Sequence, residues 1–268
     1  MLACAGMSPL QAAVLGAVQG LTEFLPISSS AHLYLIPRLL GWRYAGLAFD
    51  VALHWGTLAA LLVAFWGDWM ALARGALAGP APERRTARVT LLKIAVASVP
   101  AAAVGLLLQD LAETKLRSPA LQAATLALFG FLLWWVDRSR PRGLPAPDPG
   151  WGPCLLMGAA QSLSLVPGVS RSGITITAGR AAGLDRVSAA RFSFLLATPI
   201  TFGAGLVEMR RLSNHLAAGP LVIGIVTAAV TGFFAIRGLI RWLGRAGFGA
   251  FFAYRLALAV LVLISLGR

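Results

Sequence analysis

The sequence has little charge, few acidic residues and almost no cysteine. Only 12% of its 268 residues are charged, about half of the roughly one quarter that is usual in soluble domains. Two cysteines exclude a disulfide scaffold, and a hydrophobic share of 58% excludes a disordered chain. So much apolar material with so little charge is typical of an integral membrane protein.

Basic residues outnumber acidic residues by 23 to 10, which gives a formal net charge of +13. These basic residues are scattered between apolar runs and form no continuous stripe, so we expect no nucleic-acid partner. No Lys or Arg precedes the first apolar run, and we therefore expect no cleaved signal peptide. In a membrane protein the positions of the basic residues indicate the orientation of the chain instead.

Six apolar stretches are long enough to predict membrane-spanning helices. They are 48–66, 89–108, 119–136, 189–207, 219–236 and 249–266. The loops on one side of these spans, 67–88, 137–150 and 237–248, carry ten arginines, whereas the other side carries five basic residues. Because cytoplasmic loops hold the excess of Lys and Arg, we predict that both termini lie outside.

Two further apolar stretches end early, at a proline that is followed by a serine-rich turn and a second short segment. The two pairs of segments are 8–25 with 30–40 and 151–166 with 171–183. A helix that stops inside the hydrocarbon leaves unpaired backbone groups, which is tolerated only where protein buries them or a wet cavity meets them. The pattern therefore predicts two re-entrant helix pairs.

The two re-entrant pairs resemble each other at a spacing of 142 residues. The matching positions are Gly16, Gln19, Pro26, Ser28 and Ser30 in the first pair and Gly158, Gln161, Pro167, Ser170 and Ser172 in the second. Each pair precedes three predicted spans, and because three is odd the second copy enters the membrane in the opposite orientation. We predict one all-α membrane domain over 1–268, built as an inverted-topology repeat of 8–136 and 151–266 joined by the linker 137–150.

The tip of the first pair carries an unusual group of polar residues. Gln19 and Glu23 lie on one helical face because they are four residues apart. An acidic residue inside a membrane segment is a functional candidate by default, although a structural pair with an arginine is the alternative. The serines at 28–30 are more than one helix cap requires. His32 follows in the next helical turn and is able to carry a proton near neutral pH, with a structural role as its alternative.

The tip of the second pair carries a permanent cation. Arg171 has a guanidinium group, which binds phosphate oxygens bidentately. Ser170 precedes a helix whose N-terminus attracts anions, and Gly173 lets a ligand approach the backbone closely. A structural pair between Arg171 and Glu23 is compatible with this interpretation, and Thr175 either binds ligand or bonds to backbone carbonyls. The two tips together predict a pocket for an anionic, phosphate-containing head group.

Other polar and small residues favour structural interpretations. Asp50 opens a predicted span, where the helix dipole stabilises a carboxylate. His54 is expected to be a packed contact between helices. Gly203, Gly205 and the segment 224–232 are small enough to pack helices closely, either within one chain or between two copies in a homodimer.

At the two tips the sequence resembles the undecaprenyl-diphosphatase family, also called the bacitracin-resistance (BacA/UppP) family of bacterial membrane proteins. The motifs are QGLTEFLPISSSAH at 19–32 and PGVSRSG at 167–173, and the similarity includes AARFSFLLATP at 189–199. The resemblance implies hydrolysis of undecaprenyl diphosphate to the monophosphate and inorganic phosphate. It also implies recycling of the lipid carrier for cell-wall precursors, bacitracin resistance, and an active site in the bacterial inner membrane that faces the periplasm.

The resemblance also implies roles for individual residues. We expect the catalytic residues to be Glu23, Ser29, His32 and Arg171. We expect the substrate-binding residues to be Gln19, Ser28, Ser170, Ser172, Gly173 and Thr175. A divalent cation, Mg²⁺ or Ca²⁺, is expected to bind through Glu23. Many family members have Glu where this chain has Gln19, and an amide is a poorer ligand than a carboxylate for a hard cation.

Two questions stay open at the level of sequence. The attacking group is Ser29, His32 or a water molecule, and nothing in the sequence chooses between them. A transporter or flippase of polyprenyl phosphates is the rival function, because inverted repeats with broken helices are typical of transporters. Release of phosphate from a polyprenyl diphosphate distinguishes a phosphatase from a carrier.

Overall fold

The computed structural model describes residues 7–43, 46–114, 116, 118–140, 143–209 and 218–265. Within these ranges the chain is helical, apart from turns and one isolated bridge between Leu144 and Leu184. The helices are α1 (Pro9–Phe24), α2 (Ser29–Leu39), α3 (Leu47–Ala64), α4 (Trp66–Ala78), α5 (Ala81–Thr114), α6 (Pro119–Ser139), α7 (Trp151–Gln161), α8 (Arg171–Ala181), α9 (Arg186–Met209), α10 (Ala218–Leu243) and α11 (Gly249–Ile264), with a 3₁₀ turn at Ser162–Leu165. Both chain termini, whose side of the membrane was predicted, lie outside the described residues.

Both predicted re-entrant pairs are helix pairs in the structure. α1 begins with a capping box, in which the Ser8 hydroxyl accepts from the Gln11 amide at 3.2 Å and the Gln11 side chain accepts from the Ser8 amide at 2.9 Å. It ends at Phe24, two residues before the proline that cannot continue it. In the second pair the apolar stretch 151–166 is divided into α7 and the 3₁₀ turn, and α8 follows the break.

The six predicted spans differ in their fitness to cross a bilayer. Four lie in helices that are long and apolar enough by themselves: Ala81–Leu108, Pro119–Ser139, Arg186–Val207 and Ala218–Leu243. The stretch 48–66 forms α3, which meets α4 at a bend of 65°. Within the stretch 249–266, α11 covers the 16 residues Gly249–Ile264. It is about 24 Å long, against a hydrocarbon core of roughly 30 Å. The chain is thus an all-α protein with membrane-compatible helices, and the number of six spans stays a prediction.

The prediction of a loop at 67–88 is wrong, because this stretch is helical except at Gly79 and Pro80. It contains most of α4 and the first residues of α5. The two helices pack together, and Arg88 Nε donates to the carbonyl oxygen of Ala76 at 3.0 Å. Arginines interrupt the apolar pattern here without breaking the helices, since Arg has a high helix propensity.

The segment 137–150 between the two halves is anchored at both ends. Its first residue, Asp137, lies in the last turn of α6 and is buried. The carboxylate of Asp137 accepts from Arg180 Nε at 3.0 Å and from Arg186 Nε at 2.8 Å. Near the other end, Lys93 Nζ of α5 pairs with Asp148 at 3.0 Å. The link between the halves is therefore fixed to both of them.

The first helix of each re-entrant pair packs against a long helix of the opposite half. α1 contacts α10, and α7 contacts α5. Gly16 lies against the backbone of Gly224 in α10, and Gly158 lies against the backbone of Ala97 in α5, so closely that a Cβ at either glycine would collide with a carbonyl oxygen. Such close packing through small residues is typical of helices in membranes.

Two of the glycines that sequence analysis singled out pack inside the chain. Gly224 lies against the side chains of Phe49 and Leu53, and Gly205 lies against Trp55. At Gly203, by contrast, no atom of the described residues would lie within 4 Å of a Cβ. Residues of the segment 224–232 thus pack against other helices of the same chain. A homodimer stays a prediction.

Candidate active site

The two tips meet at the carboxylate of Glu23, near the end of α1. Arg171 Nη2 forms an ion pair with Glu23 Oε1. Ser29 Oγ donates to Glu23 Oε2 at 2.6 Å, and Gln19 Nε2 donates to the same oxygen at 3.1 Å. The side chain of Glu23 is only 6% exposed, so these interactions occur away from bulk water. One carboxylate therefore joins residues of both halves.

Both tips turn in the same way just before their second helix. Ser28 and Ser170 each have a φ of 71°, and in the part of the chain that the structure describes they are the only non-glycine residues with positive φ. Their hydroxyls also match, since Ser28 Oγ lies 3.1 Å from Ser30 Oγ and Ser170 Oγ lies 3.3 Å from Ser172 Oγ. A non-glycine residue in this conformation costs free energy, and such strain clusters at functional sites. The turns place the first residues of α2 and α8 beside Glu23.

Arg171 has a second set of partners on α9. Its Nη1 donates to Thr201 Oγ1 at 2.5 Å and to the carbonyl oxygen of Ala197 at 3.5 Å. The side chain of Arg171 is 15% exposed, so part of the guanidinium still reaches the adjoining cavity. Sequence reasoning missed Thr201, because a threonine inside an apolar span carries no signal of its own.

A cavity of about 520 Å³ opens between the two tips. This volume lies within the range of small-molecule sites, which is roughly 300–1,000 Å³. Its polar lining includes Glu23, Ser29, Arg171, Asp50 and Thr201. Its apolar lining comes mainly from α5 and α9 and includes Ala101, Ala102, Gly105, Leu106, Ile200 and Val207. The cavity thus has the composition that a charged head group with an apolar chain requires.

His54 and His32 lie in surroundings that are the reverse of those expected from the sequence. His54, expected as a packed contact, lines the cavity with its Nε2 atom 3.7 Å from Glu23 Oε2. His32, expected to be catalytic, is buried, and its Nδ1 donates to the carbonyl oxygen of Ser28 at 2.8 Å. The Nε2 atom of His32 lies 2.7 Å from the hydroxyl of Tyr254. His54 is thus the imidazole beside the carboxylate, and His32 supports the turn at Ser28.

Three of the expected substrate-binding residues form hydrogen bonds with the protein and do not belong to the cavity lining. Thr175 Oγ1 donates to the carbonyl oxygen of Arg171 at 2.8 Å and is hydrogen-bonded to Ser193 Oγ at 2.6 Å. Ser172 Oγ donates to the carbonyl oxygen of Leu25 at 3.2 Å. The amide of Gly173 donates to Ser170 Oγ at 3.2 Å, which caps α8. Ser28 and Ser170 do line the cavity.

Arg255 of α11 holds the two helix breaks together, and sequence reasoning missed it. It is fully buried, and its Nη1 donates to the carbonyl oxygen of Pro26 at 3.2 Å. Its Nη2 donates to the carbonyl oxygens of Gly168 at 2.9 Å and Val169 at 3.1 Å. A broken helix in a membrane needs partners for such carbonyls. An arginine inside the apolar stretch 249–266 is the signal that would have found it.

The oxygen atoms at Glu23 and Gln19 fit the protein part of a divalent-cation site. The remaining ligands of the cation would come from the substrate. Among the residues that the structure describes, no group of three or more His, Cys, Asp or Glu side chains could hold a metal alone. Gln19 Oε1, however, is buried beside Glu23 without a hydrogen-bond partner. Mg²⁺ is usually bound through one or two carboxylates together with oxygens of a substrate phosphate. Glu23 and the amide oxygen of Gln19 are the residues that would hold it.

Comparisons with known proteins agree with these features. The model of the family described as "Bacitracin resistance protein BacA" matches residues 12–261. The undecaprenyl-diphosphatase of Gemmatimonas aurantiaca is 48% identical over 267 residues, which cover 97% of this chain and 98% of that protein. The undecaprenyl-diphosphatase of Desulforudis audaxviator is 46% identical over 259 residues, which cover 96% of this chain and 98% of that protein. The resemblance that the two motifs indicate is confirmed over nearly the whole sequence.

Proposed function

Because the chain belongs to the bacitracin resistance protein BacA family, we propose that it hydrolyses undecaprenyl diphosphate to undecaprenyl phosphate and inorganic phosphate. The reaction regenerates the lipid carrier of cell-wall precursors and thereby confers resistance to bacitracin. The observation that carries the proposal is the convergence of Ser29 and Arg171 on Glu23 at the polar end of a cavity with an apolar wall. This arrangement matches a diphosphate head with an isoprenoid chain.

Arg171 is the residue that binds the reacting phosphate. Its guanidinium can form two parallel hydrogen bonds to phosphate oxygens. Phosphoryl transfer depends mainly on positioning and on neutralising charge, and a cation beside the N-termini of α2 and α8 supplies both. A bound phosphate competes with Glu23 for Arg171, so substrate binding frees Glu23 Oε1, while Oε2 keeps its hydrogen bond from Ser29 and can accept its proton.

Ser29 is the best supported nucleophile, because its hydroxyl donates to Glu23 at 2.6 Å. Ser29 Oγ attacks the terminal phosphorus, its proton passes to Glu23, and the bond from that phosphorus to the bridging oxygen breaks. Undecaprenyl phosphate leaves, and water then hydrolyses the phosphoserine to release inorganic phosphate. His32 is less well supported as a nucleophile, because both ring nitrogens already have partners in Ser28 and Tyr254.

A divalent cation, Mg²⁺ or Ca²⁺, is part of the proposal. Glu23 and the amide oxygen of Gln19 would hold it together with oxygens of the diphosphate. When bound, the ion would neutralise the negative charge of the diphosphate. Gln19 also keeps Glu23 in place, since its amide donates to the carboxylate at 3.1 Å.

The proposal includes six spans in one inverted-topology domain over 1–268 in the bacterial inner membrane. Support for the repeat comes from the equal φ angles of Ser28 and Ser170 and from the matching backbone contacts of Gly16 and Gly158. Support for the orientation comes from the ten arginines in the predicted cytoplasmic segments against five basic residues on the other side. In this orientation the termini lie outside and the cavity faces the periplasm.

The proposed activity is tested by phosphate release from a polyprenyl diphosphate in detergent, with and without a chelator of divalent cations. We expect release by the wild type, loss of release with the chelator, and loss of release in Glu23→Ala. Asp68→Ala is the matched control, since Asp68 pairs with Arg191 at 2.5 Å away from the cavity lining. A wild type that releases no phosphate would contradict the proposal. It would restore the transporter alternative, which the names of the relatives do not favour.

A further inference from the structure

Gln161, the last residue of α7, has an amide group without hydrogen-bond partners among the described residues. The residue borders the cavity and is only 1% exposed. Neither Oε1 nor Nε2 has a hydrogen-bond partner in the described part of the chain. A buried amide that lacks partners is unfavourable, and native proteins usually satisfy such groups. The unsatisfied amide therefore indicates a ligand group at this place.

The residues around Gln161 hold its backbone firmly but form no hydrogen bond with its side-chain amide. The hydroxyl of Ser164 donates to the main-chain oxygen of Gln161 at 2.7 Å and leaves the side-chain amide free. One turn earlier, Gly158 lies against the backbone of Ala97 and fixes α7 on α5. Gln161 thus borders the cavity from a firmly packed helix end.

The position of Gln161 in the cavity differs from that of the reacting groups. α7 and the following 3₁₀ turn pack against α5, whose Ala101, Ala102, Gly105 and Leu106 form an apolar part of the cavity lining. Glu23, Ser29 and Arg171 belong to the polar cluster formed by the two tips. Gln161, Arg171 and these α5 residues line the same cavity, so a substrate that extends from Arg171 along α5 has Gln161 as a further polar neighbour.

The comparison with Gln19 gives a second argument. Gln19 and Gln161 occupy matching positions of the two halves, and both are buried. The amide nitrogen of Gln19 is used by Glu23, whereas Leu165 stands where a carboxylate would serve Gln161. The first half thus supplies the acid, and the second half keeps an amide donor for a ligand.

We propose that Gln161 binds the phosphate that stays on the lipid, with its amide nitrogen donating to an oxygen of that phosphate and its amide oxygen accepting from a phosphate hydroxyl or a water. This assignment rests on the proposed function, because it concerns the phosphate that is not removed. It predicts that Gln161 contributes to binding of the lipid product and not to binding of inorganic phosphate.

The test measures binding of farnesyl phosphate to the protein in detergent without turnover, and inhibition of phosphate release by farnesyl phosphate and by inorganic phosphate. Gln161→Met keeps the size of the side chain and removes its hydrogen bonds. We expect farnesyl phosphate to bind this variant about tenfold more weakly, the effect of one hydrogen bond to a charged group. Inhibition by inorganic phosphate should not change.

Two further variants complete the design. Gln161→Glu keeps the shape, adds a negative charge and should weaken binding of farnesyl phosphate further, and it decides the matter if Gln161→Met does not fold. Gln122→Met is the matched control, because Gln122 is also a buried glutamine but lies outside the cavity lining. It should bind as the wild type does.

The outcomes separate the two proposals. Equal binding of farnesyl phosphate by the wild type and both Gln161 variants overturns the role of Gln161, even where the wild type releases phosphate. A wild type that binds farnesyl phosphate through Gln161 and releases no phosphate overturns the proposed hydrolysis alone.

Discussion

Ser29 and Arg171 occupy equivalent positions in the two tips, and they bind the two oxygens of one carboxylate. Each is the first residue of the helix that follows its break. The two helix breaks thus bring two different side chains to Glu23, a hydroxyl from one half and a cation from the other. This asymmetry within matching backbones is what makes the site suitable for attack on a bound phosphate.

Arg171→Lys should reduce kcat/KM for phosphate release by about a hundredfold, because an ammonium group cannot replace the two parallel hydrogen bonds of a guanidinium. Phosphate release at varied substrate concentration measures the effect. Arg191→Lys is the control, since Arg191 pairs with Asp68 instead of Glu23. Near-normal kinetics of Arg171→Lys would contradict the proposal that Arg171 binds the reacting phosphate.

Ser29→Ala should abolish the phosphorylated intermediate. With a substrate labelled in its terminal phosphate, the wild type quenched in acid should retain label, since phosphoserine is stable in acid and phosphohistidine is not. Ser29→Ala should retain none, while His32→Ala should retain it. Label that is lost in acid would favour His32, and absence of label under all conditions would favour direct attack by water.

Gln19→Glu should increase the affinity for the divalent cation. A second carboxylate beside Glu23 is a better ligand for a hard cation than an amide. The concentration of Mg²⁺ that gives half-maximal phosphate release should fall, and Gln19→Met should raise it. Unchanged Mg²⁺ dependence in both variants would mean that residue 19 does not hold the ion.

Arg255→Met should destabilise the protein and reduce activity, because carbonyl oxygens at both helix breaks would lose their donor. An unsatisfied buried carbonyl costs about 1–3 kcal/mol, so a marked decrease in thermal stability in detergent is expected. Arg237→Met serves as the comparison, since the Arg237 guanidinium lies over the ring of Phe233, 4.7 Å from its centroid, away from the breaks. Equal melting temperatures of the two variants would contradict the role of Arg255.

Gly158→Ala should be destabilising, whereas Gly152→Ala in the same helix should not. A Cβ at residue 158 would collide with the backbone of Ala97, but in the described part of the chain no atom would lie within 4 Å of a Cβ at residue 152. Thermal unfolding in detergent distinguishes the two. A Gly158→Ala variant as stable as the wild type would show that α7 and α5 can separate without cost.

The sequence predicts the tips better than their surroundings. Glu23 and Arg171 stand out because charges are rare in apolar segments, and the prolines mark both breaks. Sequence reasoning favoured a packed contact for His54 and a catalytic role for His32, because it places both on helices but does not show which face meets the cavity. Arg255 was missed because its partners are carbonyls far away in the chain, and only the folded arrangement brings them together.

The buried carboxylate of Asp137 has a consequence for motion. It lies in the last turn of α6, at the start of the segment between the halves, and it is bound to Arg180 and Arg186 of the second half. A rocking movement of one half against the other would have to separate these charges in a poorly solvated interior, which is costly. These ion pairs therefore tie the last turn of α6 to α8 and to the start of α9.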